Sequence, residues 1–143
     1  MIERQRNTRT RGLDFGGSDV VDWLPGEENA VLMARYVLPD AAVGTRIGSS
    51  AEGLGVERVD TTNLRATRVE PPLPGVSTYL SDGRGNVRLM GIQQAAGTGM
   101  LTGDIAFMFR RRGSRNWEPF CTFDSLTGTG FSPGAIDADS DRV

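Results

Sequence analysis

A four-strand pattern that occurs about twice, and then begins again, limits what this 143-residue chain can fold into. In the first copy, residues 20–24 and 30–38 flank a Pro-Gly-Glu-Glu-Asn turn. A Gly/Ser-rich loop follows, then residues 55–60, the turn Thr61-Thr62-Asn63 and residues 64–69. The second copy runs through residues 76–80, a Ser-Asp-Gly-Arg-Gly turn and residues 86–92, then through 103–109, the turn Gly113-Ser114-Arg115-Asn116 and 117–120. Residues 132–137 read as the opening of a third copy. Corresponding strands recur after roughly fifty-odd residues, near the period of propeller repeats. The expected fold is therefore all-β: antiparallel four-stranded meanders forming about two blades, plus the start of a third, of a β-propeller.

Inner strands of stacked blades are covered on both faces, so they become continuous apolar runs without alternation. Residues 30–34 and 105–109 have this character, whereas residues 64–69 carry the spaced polar residues of a half-exposed outer strand. No window keeps apolar residues at helical spacing, and Gly or Pro interrupts nearly every candidate helix. A β-sandwich is the competing all-β reading. The organisation expected is a polar, Arg-rich arm or truncated blade at 1–18 and a blade at 19–70. A second blade follows at 71–126, and 127–143 is the start of a following blade or a tail. Trp23 and Trp117 are expected to be buried, each anchoring one blade.

Net charge is −2, so no global field draws the chain to nucleic acid or to a membrane surface. All 16 basic residues are arginine, which reads first as a base-composition bias of the gene. The single cysteine, Cys121, excludes an internal disulfide, and its neighbours Phe120 and Phe123 suggest a packed thiol. No stretch approaches the ~20 apolar residues of a membrane span. The first residues lack the apolar core of a signal peptide, so the chain taken alone reads as soluble and not exported. The localisation of any longer parent is left open.

Four motifs invite a chemical reading. Gly130-Phe131-Ser132-Pro133-Gly134 has the spacing of a nucleophile elbow, but the residue after Ser132 must lend its N–H to an oxyanion hole and Pro133 has none. The chain also contains no histidine to act as the base. Asp137, Asp139 and Asp141 alternate as in a calcium loop, without the Gly and distal Glu that such a loop needs. They are expected to be a solvated turn entering a strand. Glu27-Glu28 reads as a solvated hairpin turn. Arg110-Arg111-Arg112 and Arg115, beside Phe109 and Trp117, could stack on bases, and Arg4, Arg6, Arg9 and Arg11 form a second basic cluster. With a near-neutral chain the expectation is a charged hairpin tip and no nucleic-acid partner. No catalytic, cofactor-binding or metal-binding residue is assigned.

Asp22-Trp23-Leu24-Pro25-Gly26 followed by Asn29-Ala30-Val31-Leu32-Met33 resembles a known family, as do residues 53–60, 79–85, Phe123-Asp124-Ser125 and Ser132-Pro133-Gly134. The chain is similar to the N-terminal β-propeller region of bacterial prolyl oligopeptidase-family serine peptidases, of the dipeptidyl-aminopeptidase and acylaminoacyl-peptidase type. The resemblance covers nearly everything from about residue 19 onward and rests on scaffold and turn motifs. It implies a parent with an α/β-hydrolase domain that carries Ser, Asp and His, and a propeller that restricts access to small peptides. No triad residue is carried over to this chain. The paired glutamates that bind a substrate N-terminus in the family lie in a helical insertion, which Glu27-Glu28 does not match. The implied partner is that hydrolase domain, with peptide substrate reached only through it and self-association through exposed blade edges. The implied role is non-catalytic gating, and the alternative is a stand-alone propeller-like interaction module.

Overall fold

The computed structural model describes residues 19–39 and 51–143. These form two antiparallel sheets, and no helix occurs among the described residues. Sheet 1 contains β1 (Asp19–Asp22), β2 (Ala30–Val37), β3 (Gly53–Asp60) and β4 (Ala66–Leu73), in sequential order. Sheet 2 contains β5 (Val76–Ser81), β6 (Val87–Ala95), β7 (Leu101–Phe109), β8 (Glu118–Asp124) and the two-residue β9 (Thr129–Gly130), again in order. The two sheets are not closed into a ring. The 1–18 arm lies outside the described residues.

The apolar run on β2 is explained by burial on both faces, since residues 30–34 are all buried. Ala30, Leu32 and Val56 face sheet 2 and meet Val76, Tyr79, Val87 and Met90 in one core. Val31, Met33 and Val59 pack with Ala66 in a second, smaller cluster. This division follows the register. Ala34 lies opposite Val56 and Val31 opposite Val59, so cross-strand partners share a face. Each valine, leucine or methionine among these contributes roughly 1.5–3 kcal/mol when fully buried.

Residues 105–109 do not behave as expected. Phe107 and Phe109 are buried while Ile105, Ala106 and Met108 are half-buried, and the strand of sheet 2 with five consecutive buried residues is β6, at 87–91.

Strand β4 runs on past the expected residue 69 to Leu73, carrying Pro71 and Pro72 within it. Proline is tolerated there because β4 is an edge strand and its register with β3 shifts around Val56. Gly53 makes the close approach possible. It sits at φ +114°, and a Cβ there would lie 2.1 Å from the Leu73 carbonyl oxygen. Pro74 and Gly75 then lead directly into β5, which lies against β1 and β3.

Two expectations are corrected. Trp23 is 69% exposed. The register of β1 with β2 shifts between Val20 and Asp22, and Leu24 takes a positive φ of 50°, so Leu24 enters the core while Trp23 points to water. Trp117 is partly buried and does pack on the core. The third strand pattern is likewise absent: residues 131–143 contain no strand and form a tail held against sheet 2.

Candidate functional site

The seam between the sheets and the turn and tail beside it hold the buried polar chemistry of the described residues. Four polar or charged residues are buried: Asp22, Glu70, Asp82 and Arg88. A buried polar group is tolerated only with its hydrogen bonds made, so the partners of these four show what the seam does.

Asp22, at the end of β1, ties the two sheets together. One carboxylate oxygen accepts the Leu24 N–H at 2.9 Å. The other accepts the Ser81 hydroxyl at 2.8 Å, from the end of β5, and the Gly85 N–H at 2.9 Å, from the β5–β6 turn. Asp82 shapes that turn from within. It accepts the Arg84 N–H at 3.0 Å, the Asn86 N–H at 3.2 Å and the Asn86 side-chain amide at 2.9 Å.

Glu70 on β4 meets Arg110, just beyond β7, through a two-pronged ion pair of 2.6 and 3.1 Å. The Arg110 guanidinium lies 3.9 Å from the centre of the Trp117 ring, stacked on its face. Tyr79 stands close by and donates its hydroxyl to the Leu54 carbonyl at 3.1 Å. Burial, aided by the Glu70 charge and opposed by Arg110, pushes the Tyr79 phenol up to about 12. A phenol raised in the folded state adds stability that is complete below its unfolded value near 10. That contribution falls as pH rises toward 12. Alkaline unfolding is therefore expected to begin above about pH 10 and to lessen in Tyr79→Phe. Circular dichroism against pH checks this, and an unchanged profile in the variant would contradict it.

The residues singled out in the sequence are dispersed, and many of them are paired. Ser132 is exposed while the neighbouring Pro133 is buried. Cys121 is half-buried, its thiol donates to the Phe131 carbonyl at 3.4 Å, and burial raises its pKa, which lowers the thiolate fraction. Glu27 forms an ion pair with Arg58. In the basic hairpin, Arg110 is taken by Glu70, Arg111 reaches Glu118 at 3.3 Å, and Arg112 reaches the Asp139 carbonyl at 3.2 Å. The basic cluster at Arg4, Arg6, Arg9 and Arg11 lies outside the described residues.

The acidic residues Asp137, Asp139 and Asp141 do not enter a strand. Asp139 pairs with Arg84 at 2.7 Å, and Asp141 with Arg88. The Arg84 hydrogen bond holds the Asp139 carboxyl below the usual carboxylate range, and the Arg112 N–H does the same for Asp141.

The sequence reading missed Arg88, whose side chain is 2% exposed. An arginine inside the apolar run Val87-Arg88-Leu89-Met90 was the available signal, because such a charge needs partners brought from elsewhere in the chain.

A cavity of ≈ 210 Å³ opens at the far end of sheet 2, lined by Gln93, Leu101, Asp104, Ser125 and Leu126 among others. Its polar groups are engaged locally: Ser125 donates to the Gly103 carbonyl at 2.7 Å, and Asp104 accepts the Thr102 hydroxyl at 3.0 Å. Among the described residues, no group of His, Cys, Asp or Glu is arranged to hold a metal ion. No helix among them is long and apolar enough to cross a membrane. Comparison of the chain with protein-family models, with curated proteins and with solved structures finds no match.

Proposed function

We propose that this chain is a non-catalytic, propeller-type β module of a serine-peptidase-like protein. It gates access to a hydrolase active site carried on another segment. The observation that carries the reading is the pair of sequential meanders sharing one core, with β5, the first strand of the second sheet, against β1, the first strand of the first. First strands that neighbour one another are what successive blades around a common axis require. Two of the buried polar groups, Asp22 and Glu70, support the same reading, since their bonds join the sheets. Strand β4 is an edge of its sheet, where exposed Val69 stands beside exposed Thr67 and Arg68, and it leaves backbone groups open to a neighbouring element.

A second reading, a stand-alone interaction module, is favoured by a different observation. The tail folds back onto sheet 2, so that this sheet carries a cover from its own chain.

Under either reading the purified chain is expected not to hydrolyse peptide esters or amides. The chain has no histidine, and Pro133 has no N–H with which to build an oxyanion hole beside Ser132. Turnover that is abolished by Ser132→Ala would overturn both readings. Light scattering separates them. A gating module with an open strand edge is expected to self-associate, and an interaction module to stay monodisperse.

A further inference from the structure

Three arginines on sheet 2 converge on a single acidic segment. Arg84 lies in the β5–β6 turn, Arg88 on β6, and Arg112 just beyond β7. The first makes a two-pronged pair with Asp139, at 2.7 and 3.0 Å. For Arg88, one terminal nitrogen meets the Asp141 carboxylate, and the other faces the carbonyl oxygens of Ser140 at 3.3 Å and Asp137 at 3.5 Å. The Arg112 N–H donates to Asp141 at 2.9 Å, and its guanidinium to the Asp139 carbonyl at 3.2 Å.

The sheet supplies only the floor of this cradle. Arg88 Nε donates to the Arg110 carbonyl at 3.1 Å, and its guanidinium lies 5.1 Å from the centre of the Phe109 ring. Its remaining bonds all come from residues 137–141. An arginine does not shed its charge, so the cradle demands an occupant whatever its source.

We propose that Arg84, Arg88 and Arg112 form a recognition site for an extended acidic peptide of the Asp-x-Asp kind. Residues 137–141 occupy the site in cis, and such a segment from a partner protein displaces them. The contact pattern favours a peptide. Two carboxylates spaced two residues apart meet two separate arginines, and three main-chain carbonyl oxygens fill the donors between them. A bare phosphate offers no such alternation.

The outer part of the cis occupant is attached in a way that permits exchange, while the Arg88–Asp141 pair, with Arg88 buried, is what an incoming peptide must replace in kind. The Arg84–Asp139 pair is exposed on both sides and therefore weak. The backbone hydrogen bond within the segment, from the Asp137 N–H to the Arg142 carbonyl at 3.0 Å, is internal to it. The hold on the sheet comes through arginines and through buried Pro133.

The test uses the full chain and a fluorescent peptide spanning residues 134–143. A tethered occupant competes at an effective concentration in the millimolar range, so wild type should bind the peptide weakly. A chain carrying Asp139→Asn and Asp141→Asn should bind it at least ~10-fold more tightly. Binding should vanish at about 1 M salt, where the Debye length is about 3 Å. It should also vanish for a peptide bearing the same two Asn substitutions. Absence of binding to the variant chain, indifference to the peptide's aspartates, or equal binding of a DNA oligonucleotide would overturn the proposal. Should the variant fail to fold, the wild-type chain decides by backbone nitrogen relaxation. Saturating peptide is expected to lower the order parameters of residues 137–141 as the segment leaves, and unchanged values would overturn the proposal.

Discussion

Glu70→Ala is expected to destabilise the protein by about 3–5 kcal/mol, the cost of stripping one partner from a buried ion pair. The Glu70 side chain is 8% exposed and that of Arg110 17%, so water can do little to replace the lost carboxylate. What remains for Arg110 is the face of Trp117 and a 3.5 Å contact with the Val87 carbonyl, neither of which neutralises a cation. Such a loss is a large share of the roughly 5–15 kcal/mol that holds a domain folded. Glu70→Gln should cost less, because it keeps the shape and one acceptor. A second readout separates this cause from a general loss of packing. With the Glu70 charge gone and Arg110 still opposing burial, the Tyr79 phenol should fall from about 12 toward its ordinary value in any folded fraction. Urea unfolding measures the first effect and ultraviolet titration of tyrosine the second. A cost under about 1 kcal/mol would mean that the pair does not join the sheets.

Asp22→Ala is the second large effect, expected at about 2–4 kcal/mol. The substitution leaves three donors without their acceptor: the N–H groups of Leu24 and Gly85, and the Ser81 hydroxyl. Leu24 is itself buried, so its N–H cannot turn to water without disturbing the core. Asp22→Asn keeps one oxygen but aims an NH₂ group at donors, and should fall between wild type and alanine. Because Asp22 is the last residue of β1 and two of its donors come from the end of β5 and the β5–β6 turn, both sheets should lose hydrogen-exchange protection together. Protection lost only in β1 would contradict a shared seam.

The strands were legible where burial writes itself into composition. Residues 30–34 are apolar without alternation because both of their faces are covered, and no helical period competes with that signal. Turns were legible for a related reason: Pro-Gly and Asp-Gly supply backbone angles that strand residues avoid.

Where the reading went astray, the deciding interaction was nonlocal. The run of residues 105–109 resembles that of β2, yet whether both faces are covered depends on what lies across the sheet, and here β6 holds that place. Leu24 and Trp23 are adjacent, and composition favours burying the larger one. The register shift before Asp22 and the positive φ at Leu24 select the smaller. The last strand of the first sheet was expected to stop at residue 69, because the edge position and the bulge that admit Pro71 and Pro72 are properties of the sheet.

The candidate site shows the same division. Pro133 and the absence of histidine argue against a Ser132 nucleophile on chemistry alone, an expectation that the turnover assay tests. The contacts of the site were not readable. Asp139 and Asp141 read as solvated because their partners, Arg84, Arg88 and Arg112, lie roughly 30–55 residues away in sequence. Glu70 and Arg110 are likewise ordinary surface residue types, and only the folded seam makes them a buried pair.

The most direct test of the gating role is the extent of the native polypeptide, mapped by mass spectrometry of peptides from the source cells across and beyond Val143. The account predicts peptides that continue into a segment carrying a serine elbow, an aspartate and a histidine. A native product that ends at Val143, with no hydrolase co-purifying, would contradict it.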